Sequence, residues 1–376
     1  MRYYIIAGEA SGDLHASNMM KALGLCDKEA VFRCWGGDRM KDAGGELVKH
    51  YKDLAFMGFL EVVMNLRTIM HNFKLCETDL LLFKPDALIL IDYPGFNLRM
   101  ARFAHQHHIP VYYYISPQVW AWKASRVRLI SKVVRRMCVI LPFEEAFYAR
   151  YNYKVDFVGH PLIDALENEH NDSSARTFND TYSIGDQPLI ALLPGSRLQE
   201  IKKMLPLMLK ATTFDAGYQY VVCAVESIDI SVYNDICKGS HVKIITNDTY
   251  NVLRHAHAAM VTSGTATLET ALFNVPQVVC YNAGYLSYVI AKNLVKLKYI
   301  SLVNLIMDKK VVTELIQSDF NANRLLTEMK LITGNTNERK QMLENYATLR
   351  QKLGGGGASA NTAAIIYEDL KDYKAK

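Results

Sequence analysis

The chain has 376 residues, half of them hydrophobic and 22% charged, with a formal net charge of +5. That length is about two domains, and the composition fills two packed cores, which excludes a disordered or fibrous chain. The longest apolar runs, such as residues 87–91, fall far below the roughly 18 residues that cross a bilayer. Seven cysteines, at positions 26, 34, 76, 138, 223, 237 and 280, form no C-x-x-C pair and are odd in number, which points to reduced thiols rather than a disulfide framework.

Residues 1–8 look like a strand running into a glycine turn, without the apolar core of an export signal, so a cytoplasmic location is expected. The first strand, residues 3–7, runs into Gly8-Glu9-Ala10-Ser11-Gly12-Asp13, a small-residue loop that opens a helix and lets a ligand approach backbone N–H groups. Glu9, Ser11, Gly12 and Asp13 are thus candidate substrate contacts. The plainer alternative is a tight turn with Ser11 or Asp13 as N-cap. Residues 54–70 place Phe59, Val62, Val63, Leu66, Ile69 and Met70 on one helical stripe. Such a stripe is normally core, but Phe56, Met57, Leu60 and Met64 make the other side apolar too. An interfacial helix has this pattern, with Phe56, Met57, Phe59, Leu60 and Val63 as membrane contacts.

The strand 87–91 ends in Asp92-Tyr93-Pro94-Gly95-Phe96-Asn97, which puts a carboxylate where a sheet opens to ligand. Asp92 is a candidate general base, since glycosyl transfer needs an acceptor hydroxyl deprotonated as it attacks and apolar surroundings raise a carboxyl pKa. A turn or cap aspartate is the alternative. After the strand 111–115 comes Ser116-Pro117-Gln118-Val119-Trp120-Ala121-Trp122, whose two tryptophans suit a sugar face, an acyl groove or the core. Lys123, Arg126, Arg128, Lys132, Arg135 and Arg136 form the densest basic cluster, either a solvated helix face or a surface for phosphates and anionic lipid. The strands 137–141 and 155–158 complete the first series, and the second ends in Gly159-His160-Pro161. His160 is a candidate phosphate contact or second base, with a plain loop histidine as the alternative.

A polar stretch, residues 167–187, breaks the periodicity and is expected to be a linker or exposed excursion. Strands then resume at 189–193, 218–224, 242–246, 258–262 and 277–281, separated by helices. The first ends in Pro194-Gly195-Ser196-Arg197 before a helix, where a glycine turn, free N–H groups and a guanidinium favour a diphosphate. A capping box of Ser196 with Gln199 would account for the serine but not for Arg197. Ser263-Gly264-Thr265 follows the strand 258–262, and Glu269 lies one turn into the next helix, suited to ribose hydroxyls; favourable charge near a helix start is the alternative. Glycines 354–357 precede a last helix, about 359–373, free to cross back.

Alternating strands and helices predict an α/β fold of two Rossmann-like, doubly wound parallel-sheet domains facing a cleft, over residues 1–166 and 188–345, with 346–376 as a crossover segment. The basic residues are not interleaved with an aromatic platform, so no nucleic-acid partner is expected. The sequence leaves open whether the last helix pairs with a second copy to form a homodimer.

The ordered set AGEASGD, IDYPGFN, SPQVWAW, LPFE, GHP, LPGSR and SGTATLE resembles the lipid-A-disaccharide synthase family from end to end. The resemblance implies an inverting GT-B glycosyltransferase. It would join UDP-2,3-diacylglucosamine to 2,3-diacylglucosamine 1-phosphate at the cytoplasmic face of the inner membrane, releasing UDP, with no metal and no cofactor. It makes Asp92 the base and Arg197 the diphosphate clamp. Gly195, Ser196, Ser263, Gly264, Thr265, Glu269, Asn304 and Gln317 fall at donor-site positions, while Asn97, Ser116 and Trp120 lie in the first-domain motifs. One departure is Gly95, where many relatives carry a second acidic residue. Asp92 is then expected to act alone or with help from His160 or Glu9. Rival readings are a peptidoglycan lipid precursor transferase, a nucleotide-sugar 2-epimerase, and a noncatalytic membrane-surface binding protein.

Overall fold

The computed structural model describes residues 1–53, 66–122, 124–168, 175–212, 217–282 and 298–375. The chain divides into two compact units, Met1–Asn168 with Leu353–Lys376, and Glu169–Lys352. Both contain the expected doubly wound parallel sheet.

The first sheet has seven strands: β1 (Arg2–Ala7), β2 (Val31–Gly36), β3 (Gly45–His50), β4 (Ala87–Ile91), β5 (Val111–Tyr114), β6 (Arg136–Val139) and β7 (Asp156–Phe157). Their spatial order is β3-β2-β1-β4-β5-β6-β7, so the order reverses between β1 and β4. Ala7 pairs with Ile91 at the shared carboxyl end. Ligands of open parallel sheets collect at such a switch point, where adjacent crossovers leave in opposite directions. The central strands are buried on both faces and are therefore continuously apolar. Tyr4, Ile6, Leu88, Leu90 and Tyr113 enter one core. Tyr3, Ile5, Ile89, Ile91, Tyr112 and Tyr114 enter the other, which Ala363, Ile366 and Leu370 of the last helix complete.

That last helix, Ala358–Lys374, packs on the helix Ala10–Cys26. Its start is capped from a distance, because Asp164 accepts the N–H groups of Gly357 at 2.5 Å, Ala358 at 3.3 Å and Ser359 at 3.1 Å. Its far end is tied by Arg135 to Asp369 and Lys374 to Asp86. Arg136 likewise pairs with Asp156, so Arg135 and Arg136 of the basic cluster are engaged within the unit. Lys123 of that cluster lies outside the described residues, as do Phe56, Met57, Phe59, Leu60 and Val63. No described helix is long and apolar enough to cross a membrane.

The second sheet has six strands: β8 (Leu189–Leu193), β9 (Gln219–Ala224), β10 (Lys243–Thr246), β11 (Ala256–Thr262), β12 (Gln277–Tyr281) and β13 (Thr313–Ile316). The order β10-β9-β8-β11-β12-β13 places its switch point between β8 and β11. Part of the stretch 167–187 differs from the expected linker: Ala175–Tyr182 is a helix whose Phe178 is buried in the core formed by Leu189, Ala191, Leu193, Val221 and Val261. Phe178 anchors it, with Ile184 and Tyr182 of the same segment packed into that core; burial of a phenylalanine alone is worth about 1.5–3 kcal/mol.

Candidate active site

In the first unit the two loops that flank the switch point carry Glu9 and Asp92. Asp92 and Tyr93 are consecutive non-glycine residues in the left-handed region, with φ of 44° and 47°. Such residues cost roughly 1–3 kcal/mol each and persist only when their surroundings over-determine them. Here the Asp92 N–H donates to the Tyr114 carbonyl at 3.3 Å. The Asp92 carbonyl accepts from the Tyr113 hydroxyl at 2.5 Å and from Asn97 Nδ2 at 2.8 Å. Asn97 is fully buried and also donates to the Ile91 carbonyl at 3.2 Å. It therefore shapes the turn under Asp92 instead of offering its amide nitrogen to a ligand. Gly8 is required by the same turn, because a Cβ there would fall 2.3 Å from the Tyr93 ring.

Burial raises the Asp92 carboxyl to about 6; the neighbouring negative charge of Glu9 pushes the same way, and a hydrogen bond from the Tyr93 N–H opposes both. Glu9 and Ser11 are exposed, and Glu9 stands at the N-cap position of its helix without capping it. Gly12 is buried, and a Cβ there would lie 3.2 Å from that of Ala7. Asp13 corrects the expectation of a ligand contact or local N-cap. It is buried, and it accepts the N–H groups of Gly37 at 2.7 Å, Met40 at 3.1 Å and Arg39 at 3.2 Å, capping the helix Asp38–Asp42.

Ser116 is also buried: its hydroxyl lies 2.5 Å from Glu144 Oε1 and accepts from the Tyr148 hydroxyl at 3.2 Å. Trp120 is half-buried and packs edge-on against Phe143, ring centres 5.0 Å apart. His160 is buried, and its Nδ1 accepts the Leu162 N–H at 3.2 Å. Burial and the neighbouring His15 lower its pKa to about 3. Of the two residues expected to assist Asp92, Glu9 is the one whose charge raises its carboxyl pKa.

In the second unit the switch-point loops carry Gly195-Ser196-Arg197 after β8 and Ser263-Gly264-Thr265 after β11. Gly195 has φ of 109°, and a Cβ on it would meet Glu200 Oε2 at 2.6 Å. That carboxylate accepts the Ser196 N–H at 3.2 Å and lies 3.7 Å from Arg197 Nη1. Glu200 thus does the capping assigned to Gln199, from one residue further along. Arg197 keeps 63% of its side chain exposed, and a guanidinium held so loosely is available to a phosphate. Gly264 and Thr265 are exposed at the start of the helix Thr265–Leu272. Ser263 donates to the Ile300 carbonyl at 3.0 Å, and Glu269 accepts from the Tyr250 hydroxyl at 3.0 Å.

Asn304 departs from the expected contact role. Its Nδ2 donates to the Val312 carbonyl and to Glu314 Oε1, both at 2.9 Å, and its Oδ1 accepts from Val311 at 2.7 Å and Val312 at 3.0 Å. Four bonds use the whole capacity of an amide, so Asn304 staples the chain around β13. Gln317 is the opposite case: it is left-handed, with φ of 55°, and its buried Nε2 has no partner among the described residues. Among those residues no group of three or more His, Cys, Asp or Glu is placed to hold a metal ion.

Sequence reasoning did not single out Tyr113, Glu144 or Glu200. The signal for Tyr113 was three successive tyrosines inside a buried strand, where each hydroxyl needs a partner. For Glu144 it was a carboxylate among Leu141, Pro142 and Phe143.

A family profile described as Lipid-A-disaccharide synthetase matches residues 3–365. The Lipid-A-disaccharide synthase of Syntrophus aciditrophicus is 42% identical, with 98% of this chain and 97% of the relative covered. That of Coxiella burnetii is 36% identical, with 96% and 97% covered. Among solved structures, the kitacinnamycin glycosyltransferase superposes with a TM-score of 0.65 at 14% identity, covering 98% of each chain. UDP-GlcNAc 2-epimerase from Neisseria meningitidis superposes at 0.62 and 13% identity, covering 99% of this chain and all of the other. Those two likenesses speak for a fold common to GT-B glycosyltransferases and epimerases, whereas the sequence relatives match along their whole lengths and share one name: the chain belongs to the lipid-A-disaccharide synthase family.

Proposed function

We propose that the chain joins UDP-2,3-diacylglucosamine to 2,3-diacylglucosamine 1-phosphate with inversion, giving lipid A disaccharide 1-phosphate and UDP. Family membership makes it a glycosyltransferase. In the proposed step an acceptor hydroxyl attacks the anomeric carbon, the bond to the diphosphate breaks, and the hydroxyl proton passes to Asp92. Arg197, with the N–H groups of the Ser196 and Gly264–Thr265 loops, takes up the charge on departing UDP, an electrostatic task suited to helix starts and a guanidinium. On this reading the first unit serves the acceptor and the second the donor.

The observation that carries the proposal is Asp92, a carboxylate held at the switch point by a pinned left-handed turn and lifted to about 6. A base of that pKa is ionised at neutral pH yet more basic than an ordinary aspartate. Because both substrates carry acyl chains, we further place the enzyme on the cytoplasmic face of the inner membrane, with residues 54–70 and the basic residues 123–136 as the contact.

Mass-spectrometric turnover in mixed micelles, with EDTA present, tests the reaction. Disaccharide phosphate and UDP from the wild type, lost in Asp92→Asn, is the expected result. No product from folded, UDP-binding protein would turn the assignment toward the other UDP-sugar enzymes that share the fold.

A further inference from the structure

At the carboxyl ends of β5 and β6, beside the Asp92 turn, lies a buried carboxylate that the proposed reaction does not use. Glu144 is 1% exposed. Its Oε2 accepts the N–H groups of Leu141 at 2.9 Å and Ile140 at 3.3 Å, which is self-capping of the short helix Phe143–Ala149. Its Oε1 does something else. It lies 2.5 Å from the hydroxyl of Ser116, 28 residues away at the start of the 116–122 loop. The Trp120 indole N–H from the same loop lies close enough to lower the Glu144 pKa, though no hydrogen bond of ordinary geometry joins them. Phe143, next to Glu144, holds the Trp120 ring edge-on.

We infer that Glu144 is a positioning residue for the acceptor, acting through Ser116 and Trp120, and that its ionised form holds the 116–122 loop in the shape that binds acceptor. The inference rests on the proposed acceptor role of the first unit, to which that loop belongs. Every donor around Glu144 is neutral: two backbone N–H groups and the Ser116 hydroxyl bond to it, and the Trp120 indole N–H lies nearby. The titratable neighbours are Tyr148, on its own helix, and Tyr113 of β5 beyond it, on which Arg126 also acts. Burial raises Glu144 to about 7 against those hydrogen bonds. When the carboxyl takes a proton, its O–H needs an acceptor. Ser116 Oγ is the one at hand, and the serine must then turn its own hydrogen to the Pro117 carbonyl, 3.2 Å away. Tyr148 donates to Ser116 in both states. Protonation therefore reverses one hydrogen bond at the root of the loop.

The test is acceptor KM, donor KM and kcat from pH 6 to 9 for wild type and Glu144→Gln, beside a pH titration of tryptophan emission. In wild type, acceptor KM should rise as pH falls through about 7, and the emission should change over the same range. In Glu144→Gln, acceptor KM should sit about tenfold above the wild-type value at pH 8, without that rise, with donor KM unmoved and the emission transition gone. The 1-phosphate of the acceptor also titrates near pH 6, but it is common to both proteins, so the difference between the profiles is what counts. Superimposable acceptor-KM profiles, or an emission transition that persists in the variant, would overturn the inference. If Glu144→Gln fails to fold, Ser116→Ala replaces it: the same KM rise supports the role, and a wild-type KM overturns it. If the wild type makes no disaccharide, the proposed function fails, and the emission titration still decides whether Glu144 governs the loop.

Discussion

The Tyr113 hydroxyl donates a 2.5 Å hydrogen bond to the main-chain carbonyl of Asp92, so a strand side chain holds the backbone of the residue whose carboxyl is the proposed base. The bond is partly buried, and its loss leaves a carbonyl with one donor fewer in a strained turn. Tyr113→Phe should therefore lower stability by about 1–2 kcal/mol. It should also lower kcat about tenfold while both KM values stay near wild type. Denaturant melts and steady-state kinetics check the two effects together.

Asp92→Asn should separate stability from activity in opposite directions. Asparagine tolerates the left-handed backbone, so the turn survives, and the buried charge is gone. A carboxyl raised from 3.8 to about 6 makes the folded state bind its proton more tightly than the unfolded state does. The ionised form consequently costs stability that disappears below pH 4. That rise corresponds to at most about 3 kcal/mol. Thermal melts should show the variant more stable at pH 8 and level with wild type near pH 4, while turnover falls by about 10²–10⁴. A variant less stable than wild type at pH 8 would remove the electrostatic account.

Glu9→Gln takes away a like charge that raises Asp92. The Asp92 pKa should fall, and the acidic limb of the pH–kcat profile should move to lower pH by a fraction of a unit. Gly95→Asp should do the reverse. A Cβ at residue 95 meets nothing within 4 Å, so the branch point of a side chain has room there. A second carboxylate in this turn should push Asp92 up and carry the limb to higher pH. Opposite displacements in the two variants are the expected pair.

Arg197→Ala should leave the melting temperature unchanged, because the side chain is largely exposed and its contact with Glu200 is long. UDP affinity, by titration calorimetry, should fall about 10- to 100-fold, as expected for loss of charge-assisted bonds to phosphate worth about 1.5–3 kcal/mol.

Much of this was legible in the sequence, for a definite reason. Buried parallel strands are uninterrupted apolar runs, so 87–91 and 189–193 declare themselves, and the chemistry sits where those runs stop. The strands that escaped notice lack that signature. Val31–Gly36 carries Arg33 in mid-strand, neutralised by Asp79 at 2.7 Å. Gly45–His50 and Thr313–Ile316 are edge strands of mixed polarity. Residue roles were harder wherever the partner was remote. Asp13 follows a glycine and precedes a helical run like any local cap, but the helix it caps begins 25 residues later. Asn304 and Gln317 look alike as isolated amides, and only the surrounding N–H and C=O groups distinguish a spent one from one whose nitrogen has no partner among the described residues.

The cap that Asp164 places on the helix Ala358–Lys374 joins residues 193 to 195 positions apart. The second unit is an unbroken stretch, whereas the first needs a segment translated after it. On the ribosome, the second unit can therefore close while the first still lacks a layer of its core, with Ala16 and Met19 awaiting Ile366 and Leu370. The half bearing Asp92 is finished only after the whole second unit has been translated, which leaves an apolar face in need of protection until then.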